Sequence, residues 1–217
     1  KSSAENATAL GLGANASAND TVAIGTNAAA SVKNTIALGV NSKSSAENAT
    51  ALGLGANASA NDTIAIGTNA KTSDVNAIAL GINSKSLSGN AVAIGLRSEA
   101  AGTDSIAIGF IAKTSDVNAI ALGNQATASK ANTIALGTQT KAAGANAIAL
   151  GNQADASVFQ AIALGTSAKA SAADTVALGT GSIASGNSAI ALGNKAQALG
   201  SNSISIGKGN IVSGKNS

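Results

Sequence analysis

The sequence predicts an all-β fold, a parallel β-roll in which each 14-residue repeat forms one coil of a solenoid. Three observations lead to this prediction. A glycine recurs every 14 residues along the 217-residue chain, the large apolar residues lie two positions apart, and aromatic residues make up only 1% of the composition. Repeats of this kind cannot bury an apolar face alone, so each must stack on its neighbours.

The recurring glycine defines the numbering of the coil. We call it position 0 and number the residues that follow it +1 to +13. It occurs without any insertion at 11, 25, 39, 53, 67, 81, 95, 109, 123, 137, 151, 165, 179, 193 and 207. A longer repeat is superimposed, because residues 1–28 and 43–70 differ only at Val22 and Ile64. The array therefore grew by duplication of blocks of three coils.

Each coil is predicted to contain two strands and two corners. Positions +11 and +13 carry large apolar residues such as Ile120 and Leu122. A spacing of two places both on one face of a strand, whereas a coiled-coil seam requires spacings of three and four. A second strand is predicted at +2 to +6, with small residues at +3 and +5 facing the interior. Glycine allows one corner, and the Asn or Asp found at +9 in 13 of 15 units tolerates the left-handed geometry of the other.

Position +12 is alanine in nearly every coil. With Ile and Leu assigned to the interior of the roll, this alanine is predicted to face outward and to allow close approach of a second subunit. The predicted trimer interface consists of Ala37, Ala79, Ala93, Ala121, Ala135, Ala149, Ala163 and Ala177.

The composition excludes several functional classes. His, Cys and Tyr are absent, so most acid–base and nucleophilic schemes lack a participant, and we predict no enzyme, no cofactor and no metal site. The net charge of +3 is scattered along the chain, which argues against nucleic acid as a partner. No signal peptide is visible, and no apolar run approaches the length of a membrane span.

Two surfaces are candidates for ligand contact. The first is a column of lysines at +4, which is either a solvated face or a basic stripe that attracts acidic glycans; Glu99 and Asp155 interrupt it. The second is Phe110 with Ile111, the largest apolar pair at a corner whose +1 residues are mostly apolar before residue 111 and polar after it. Such corners either pack against a neighbouring subunit or form a docking edge. The lysines are Lys43, Lys71, Lys85, Lys113, Lys141 and Lys169.

The pattern N-x-[VI]-A-[IL]-G-x-x-[SA], repeated at intervals of 14 over the whole chain, resembles the YadA-like head of trimeric autotransporter adhesins. The resemblance implies a left-handed β-roll, an intertwined homotrimer and display on the outer membrane surface of a Gram-negative bacterium. It also implies attachment to host cells, through a cell-surface receptor or a matrix protein such as collagen. Residues 1–217 are predicted to be one head fragment of about 15 repeats, without the neck, the stalk or the C-terminal anchor, which would make the only membrane contact.

In this family the repeated motif is linked with collagen binding, although our assignment of these residues to core and corners means that mutating them would also disturb the roll. The full motif occurs three times, at Asn34, Ile36, Leu38, Gly39 and Ser42; at Asn76, Ile78, Leu80, Gly81 and Ser84; and at Asn90, Val92, Ile94, Gly95 and Ser98.

Two other solenoid functions are alternatives. An ice- or surface-templating solenoid would use a flat ladder of polar residues, and threonines at +10 such as Thr21 and Thr35 suggest one, although alanine occupies most other coils. A hexapeptide-type acyltransferase would have coils in multiples of six residues and a catalytic histidine, and this chain has neither.

Overall fold

Each repeat folds into a three-residue strand and a two-residue strand, joined by two tight corners. The computed structural model describes residues 1–217 and contains thirty strands and no helix, so no helix is present that is long and apolar enough to cross a membrane. The chain divides into two compact units, residues 1–111 (unit 1) and residues 112–217 (unit 2).

Unit 1 contains two parallel sheets, which we name by the length of their strands. The long-strand sheet contains β1 (Thr8–Leu10), β3 (Val22–Ile24), β5 (Ile36–Leu38), β7 (Thr50–Leu52), β9 (Ile64–Ile66), β11 (Ile78–Leu80), β13 (Val92–Ile94) and β15 (Ile106–Ile108). The short-strand sheet contains β2 (Asn15–Ala16), β4 (Ala29–Ala30), β6 (Lys43–Ser44), β8 (Asn57–Ala58), β10 (Lys71–Thr72), β12 (Lys85–Ser86) and β14 (Glu99–Ala100).

Unit 2 repeats this arrangement. Its long strands are β17 (Ile120–Leu122), β19 (Ile134–Leu136), β21 (Ile148–Leu150), β23 (Ile162–Leu164), β25 (Val176–Leu178), β27 (Ile190–Leu192) and β29 (Ile204–Ile206). Its short strands are β16 (Lys113–Thr114), β18 (Thr127–Ala128), β20 (Lys141–Ala142), β22 (Asp155–Ala156), β24 (Lys169–Ala170), β26 (Ile183–Ala184), β28 (Gln197–Ala198) and β30 (Ile211–Val212).

The strands pair in parallel and in register with the repeat. Ile78, for example, lies between Ile64 and Val92, its equivalents 14 residues away on either side. Equivalent residues therefore form columns that run from coil to coil, and the predicted all-β parallel roll is confirmed. Its handedness and its trimeric state remain predictions.

The interior of the roll contains only small side chains. Positions +3, +5, +10 and +12 are buried in coil after coil, and they are occupied by Ala, Ser or Thr. The inward hydroxyls are largely bonded to carbonyl groups of their own coil, as when Ser42 Oγ donates to Gly39 O at 2.9 Å and Ser44 Oγ donates to Ala49 O at 2.6 Å. These bonds satisfy polar groups that would otherwise destabilise the core.

The predicted orientation of the long strand is wrong. Ile and Leu at +11 and +13 point outward and none of them is buried, whereas alanine at +12 points inward. The reason is the size of the coil. Fourteen residues, shared between two strands and two corners, leave so little space between the sheets that methyl-sized groups fill it at native packing density. Larger side chains would overpack it.

Both corners use left-handed backbone conformations. At position 0, Gly81 has φ of +133°, and a Cβ placed there would lie 2.5 Å from the carbonyl oxygen of Gly95 in the next coil. Asn and Asp at +9 have positive φ, as predicted, with Asn90 at 56°. A second left-handed residue at +2 was missed, although Asn, Gln or Gly at +2 in most coils is the pattern that predicts it.

Candidate functional site

An exposed apolar surface runs along the long-strand sheet of each unit, and we call it the apolar face. It consists of the side chains at +11 and +13, in two adjacent columns. Ile64 and Ile66 in unit 1 are 37% and 38% exposed, and Leu136 in unit 2 is 44% exposed. Because the strands are in register, the columns are continuous within each unit. Monomeric proteins rarely leave contiguous apolar surface of this kind in water, so it indicates a site of protein contact.

The eight alanines predicted to form the subunit interface lie behind this face. Ala37, Ala79, Ala93, Ala121, Ala135, Ala149, Ala163 and Ala177 all have 0% exposure within the single chain. They pack in the interior of the roll and cannot contact another chain, so that assignment of residues is wrong. The outward neighbours at +11 and +13 are the side chains available for such a contact.

A ladder of amide side chains runs along the corner at +9. The Nδ2 of Asn34 donates to Oδ1 of Asn48 at 3.1 Å, and the Nδ2 of Asn48 donates to Oδ1 of Asp62 at 2.8 Å. Asn76, Asn90 and Asp104 repeat this arrangement at 3.0 and 2.8 Å. These bonds join neighbouring coils, which indicates that the first motif asparagine of each repeat has a structural role.

The lysines at +4 lie on the outer surface of the short-strand sheet and are exposed. Lys71 and Lys85 are direct partners in neighbouring strands, and Lys85 is in turn opposite Glu99. In unit 2, Asp155 lies between Lys141 and Lys169. The column is therefore on the solvent side, as predicted, and the two carboxylates interrupt it at the positions that the sequence indicated.

Four exposed apolar residues stack at the +1 and +2 corner near the end of unit 1, and we call them the corner patch. Ile82 is 51% exposed, Leu96 40%, Phe110 41% and Ile111 37%. Backbone bonds hold their coils in register, because Ile111 N donates to Leu96 O at 2.9 Å and Arg97 N donates to Ile82 O at 2.9 Å. The structure thus brings the predicted pair Phe110 and Ile111 together with two further apolar residues.

An open concavity of about 410 Å³ adjoins the corner patch. Its lining residues come from two neighbouring coils and are Asn83, Lys85, Arg97, Ser98 and Glu99. Arg97 and Ile111 occupy the left-handed position +2, with φ of 57° and 55°. This conformation is unusual for a long side chain and strained for a β-branched one. Sequence reasoning missed Arg97, because its importance depends on the backbone angle.

The remaining motif residues have structural positions. Ile36 and Leu38 are outward members of the apolar face, which corrects their assignment to the core, and Ser42 is buried. The threonines at +10 are also buried, and the Oγ1 of Thr35 donates to Val32 O at 2.7 Å. No flat threonine ladder therefore faces solvent at this position, which removes the basis for a templating function. The structure has no group of three or more His, Cys, Asp or Glu side chains that could hold a metal ion.

These features define a class of repetitive β-solenoid with an uncovered apolar face. A family model described as the YadA head domain repeat matches the chain, and the chain belongs to this family. The matched segments are 2–28, 33–56, 44–70, 58–84, 73–98, 88–110, 100–126, 115–139, 128–154, 159–182 and 184–210. The resemblance inferred from the repeated motif is thereby confirmed.

Comparison with solved structures found the crystal structure of the collagen-binding domain of the Yersinia adhesin YadA. That domain is 20% identical, and the match covers 94% of this chain and 69% of that one, with a TM-score of 0.27. No curated protein gave a significant match. The family assignment therefore rests on the repeat match.

Proposed function

We propose that this chain is the head of a surface adhesin of a Gram-negative bacterium, which assembles as a homotrimer and attaches to host extracellular matrix. Membership of the YadA head repeat family supports an adhesin-type, non-enzymatic role. The observation that carries the proposal further is the apolar face. It continues through the coils of both units and has no covering segment in the single chain.

Self-association through the apolar face explains why a roll with an alanine interior is stable. Burial of apolar surface contributes about 25 cal/mol per Å² removed from water, and the interior of this roll offers mainly methyl groups. The larger Ile and Leu side chains contribute fully only when another surface covers them. Three identical copies, each presenting the apolar face towards a common axis, would cover all of it in a closed assembly.

A trimer also suits adhesion. Each copy carries the same outer surface, so a weak contact is repeated three times on one particle. Once the first contact forms, the others become intramolecular events, and the avidity exceeds the affinity of one contact by a factor of roughly 10² or more. Fibrillar matrix proteins such as collagen are also repetitive, which fits a partner that is bound at several points.

The assembly is tested with two variants on the apolar face. Leu80→Lys in unit 1 and Leu150→Lys in unit 2 would place an unpaired charge in the buried contact, which is strongly unfavourable. We expect wild type to have the mass of three chains in light scattering and both variants to have the mass of one. Lys141→Gln, on the opposite face, is the control and should remain trimeric. A wild-type protein that is monomeric with strand-type circular dichroism would contradict the proposed assembly.

The adhesive role is tested separately, with the trimer applied to immobilised collagen, fibronectin and laminin. We expect saturable binding to at least one of them, and weaker binding by the monomeric variants because avidity is lost. Antibody labelling of intact cells that express the protein tests surface display. Failure of wild type to bind any of the three proteins would contradict attachment to matrix and would leave the assembly result unaffected.

A further inference from the structure

We propose that the corner patch and the adjoining concavity of unit 1 form the specific ligand contact, and that the ligand is an extended protein segment pairing a carboxylate with apolar side chains. This inference rests on the proposed adhesive function and assigns the contact to Ile82, Leu96, Arg97, Phe110 and Ile111. It separates a local recognition site from the apolar face, which recurs along the chain.

The distribution of the patch argues against a second copy of the chain as its occupant. The columns at +11 and +13 continue through both units, so the same self-contact is available to every coil. The +1 position is apolar only in unit 1, whereas in unit 2 its occupants are polar, as with Asn124 and Thr166. A feature confined to one unit is not needed for a contact that both units make.

The backbone supplies a second, independent observation. In most coils position +2 is Asn, Gln or Gly, which suit the left-handed conformation. At Arg97 and Ile111 less suitable residues occupy it, although the fold gains no buried contact from them, since both are exposed. Strained residues that the fold does not require are concentrated at binding sites, because selection for the ligand maintains them.

The charges determine the chemistry of the ligand. Lys85 and Arg97 line the concavity with one carboxylate, Glu99, and Lys71 lies directly opposite Lys85 in the neighbouring strand. Basic groups therefore exceed acidic ones around the concavity, and an acidic group of the ligand is favoured there. Phe110, Leu96 and Ile82 stand beside it as a ridge, which an apolar ligand side chain can contact. A ridge of this kind with an adjacent arginine has the composition of a binding hot spot.

The experiment uses two variants that improve the local backbone while removing the contact. Phe110→Asn/Ile111→Asn and Arg97→Asn both introduce the residue type that position +2 prefers. We expect an unchanged or raised Tm, by about 2–4 °C where strain is relieved, so any loss of binding cannot be attributed to unfolding. Binding of the trimer to immobilised fibrillar collagen, fibronectin and laminin should fall at least about tenfold for whichever protein the wild type binds.

Matched controls exist in unit 2. Thr166→Asn/Ser167→Asn changes the same two positions, and Lys195→Asn replaces a long cation at +2, where φ is 57°. Both controls should bind as wild type does. The Arg97→Asn variant should also lose part of the salt dependence of binding, because exposed charge pairs are screened by salt.

Three outcomes would overturn the assignment. Wild-type binding that both unit 1 variants retain would place the contact elsewhere while leaving the adhesive function intact. A fall from trimer to monomer mass in the Phe110→Asn/Ile111→Asn variant would show that the patch is a self-contact. Binding of heparin that depends on Arg97 but not on Phe110 and Ile111 would indicate an acidic glycan in place of a protein segment. A wild type that binds none of the proteins would contradict the proposed function itself and this assignment with it.

Discussion

The two units share an interior and an apolar face but differ at their corners and in their charge. In both units alanine fills +12, and Ile, Val or Leu dominates +11 and +13. Unit 1 has apolar residues at +1 in most coils and six basic against seven acidic residues, a formal charge of −1. Unit 2 has only polar residues at +1 and seven basic against three acidic residues, a formal charge of +4.

This difference separates positions that maintain the fold from positions that are free to specialise. Inward positions are restricted by space and the apolar face by the need for a cover, so both are alike in the two units. Corner residues at +1 and outward residues at +4 have neither restriction. Function in a repetitive protein is therefore best sought where the repeats differ, and unit 1 differs most strongly at the corner patch.

The largest expected effect is at the glycine column, where the two units should respond alike. Gly81→Ala in unit 1 and Gly151→Ala in unit 2 would bring a Cβ to 2.5 and 2.7 Å from backbone atoms of the next coil. Both residues also have φ near +130°, a conformation that side chains disfavour. We expect each change to lower the free energy of unfolding by at least about 3 kcal/mol, measured by urea denaturation.

Gly89→Ala is the control for the glycine column. Its Cβ would meet its nearest atom at 3.7 Å, an ordinary contact, and its φ is not positive. It should change the free energy of unfolding by less than about 1 kcal/mol. If Gly81→Ala were tolerated as well as Gly89→Ala, close stacking of the coils at this corner would be contradicted.

The next effect concerns the interior, where the two units should again respond alike. Ala79→Leu and Ala149→Leu would force a large side chain into a space that holds a methyl group, since both alanines have 0% exposure. Overpacking of this kind costs about 1–3 kcal/mol, measurable as a fall in Tm. Ile78→Leu on the apolar face is the control and should cost less. Full stability of both alanine variants would restore the outward orientation first predicted for +12.

The smallest effect should distinguish the units. Asn90→Ala in unit 1 removes a 2.8 Å bond to the carboxylate of Asp104, and Asn132→Ala in unit 2 removes a 3.2 Å bond to the amide of Asn146. Both place alanine at positive φ, so each should lose about 1–2 kcal/mol of unfolding free energy. The loss should be greater for Asn90, since a bond to a charged acceptor is the stronger one.

Replacement by glycine isolates the bond from the backbone. Asn90→Gly and Asn132→Gly tolerate the left-handed conformation and remove only the side-chain contact. Equal losses for these two variants would contradict the inferred difference between a carboxylate and an amide acceptor. Chemical denaturation at neutral pH measures all four proteins on the same scale.

Much of the fold follows directly from spacing. The fixed glycine interval, the alternation within each strand and the Asn or Asp at +9 predict parallel coils, two strands per coil and a left-handed corner. The small residues at +3 and +5, such as Ser42 and Ser44, also predict the interior correctly. These features are local, because each depends on the conformation of a few residues or on alternation along one strand.

The orientation of the long strand does not follow from hydrophobicity. Ile78 and Ala79 are both apolar, and alternation alone places them on opposite faces without stating which face is inside. The usual rule puts the larger residue in the core, but the width of a coil decides otherwise, and that width depends on the closed geometry of the roll. The strain at Arg97 is likewise invisible in the sequence, because it is a property of the backbone angle.

The amide ladder at +9 has a consequence for how such a gene changes length. In unit 1 it is built in runs of three coils that end at an aspartate, Asp62 or Asp104, whose carboxylate accepts a bond but has no N–H to pass one onward. Recombination that adds or removes 42 residues preserves whole runs, whereas a step of 14 would cut one. Strains that lengthen or shorten this array are therefore expected to differ by multiples of three turns.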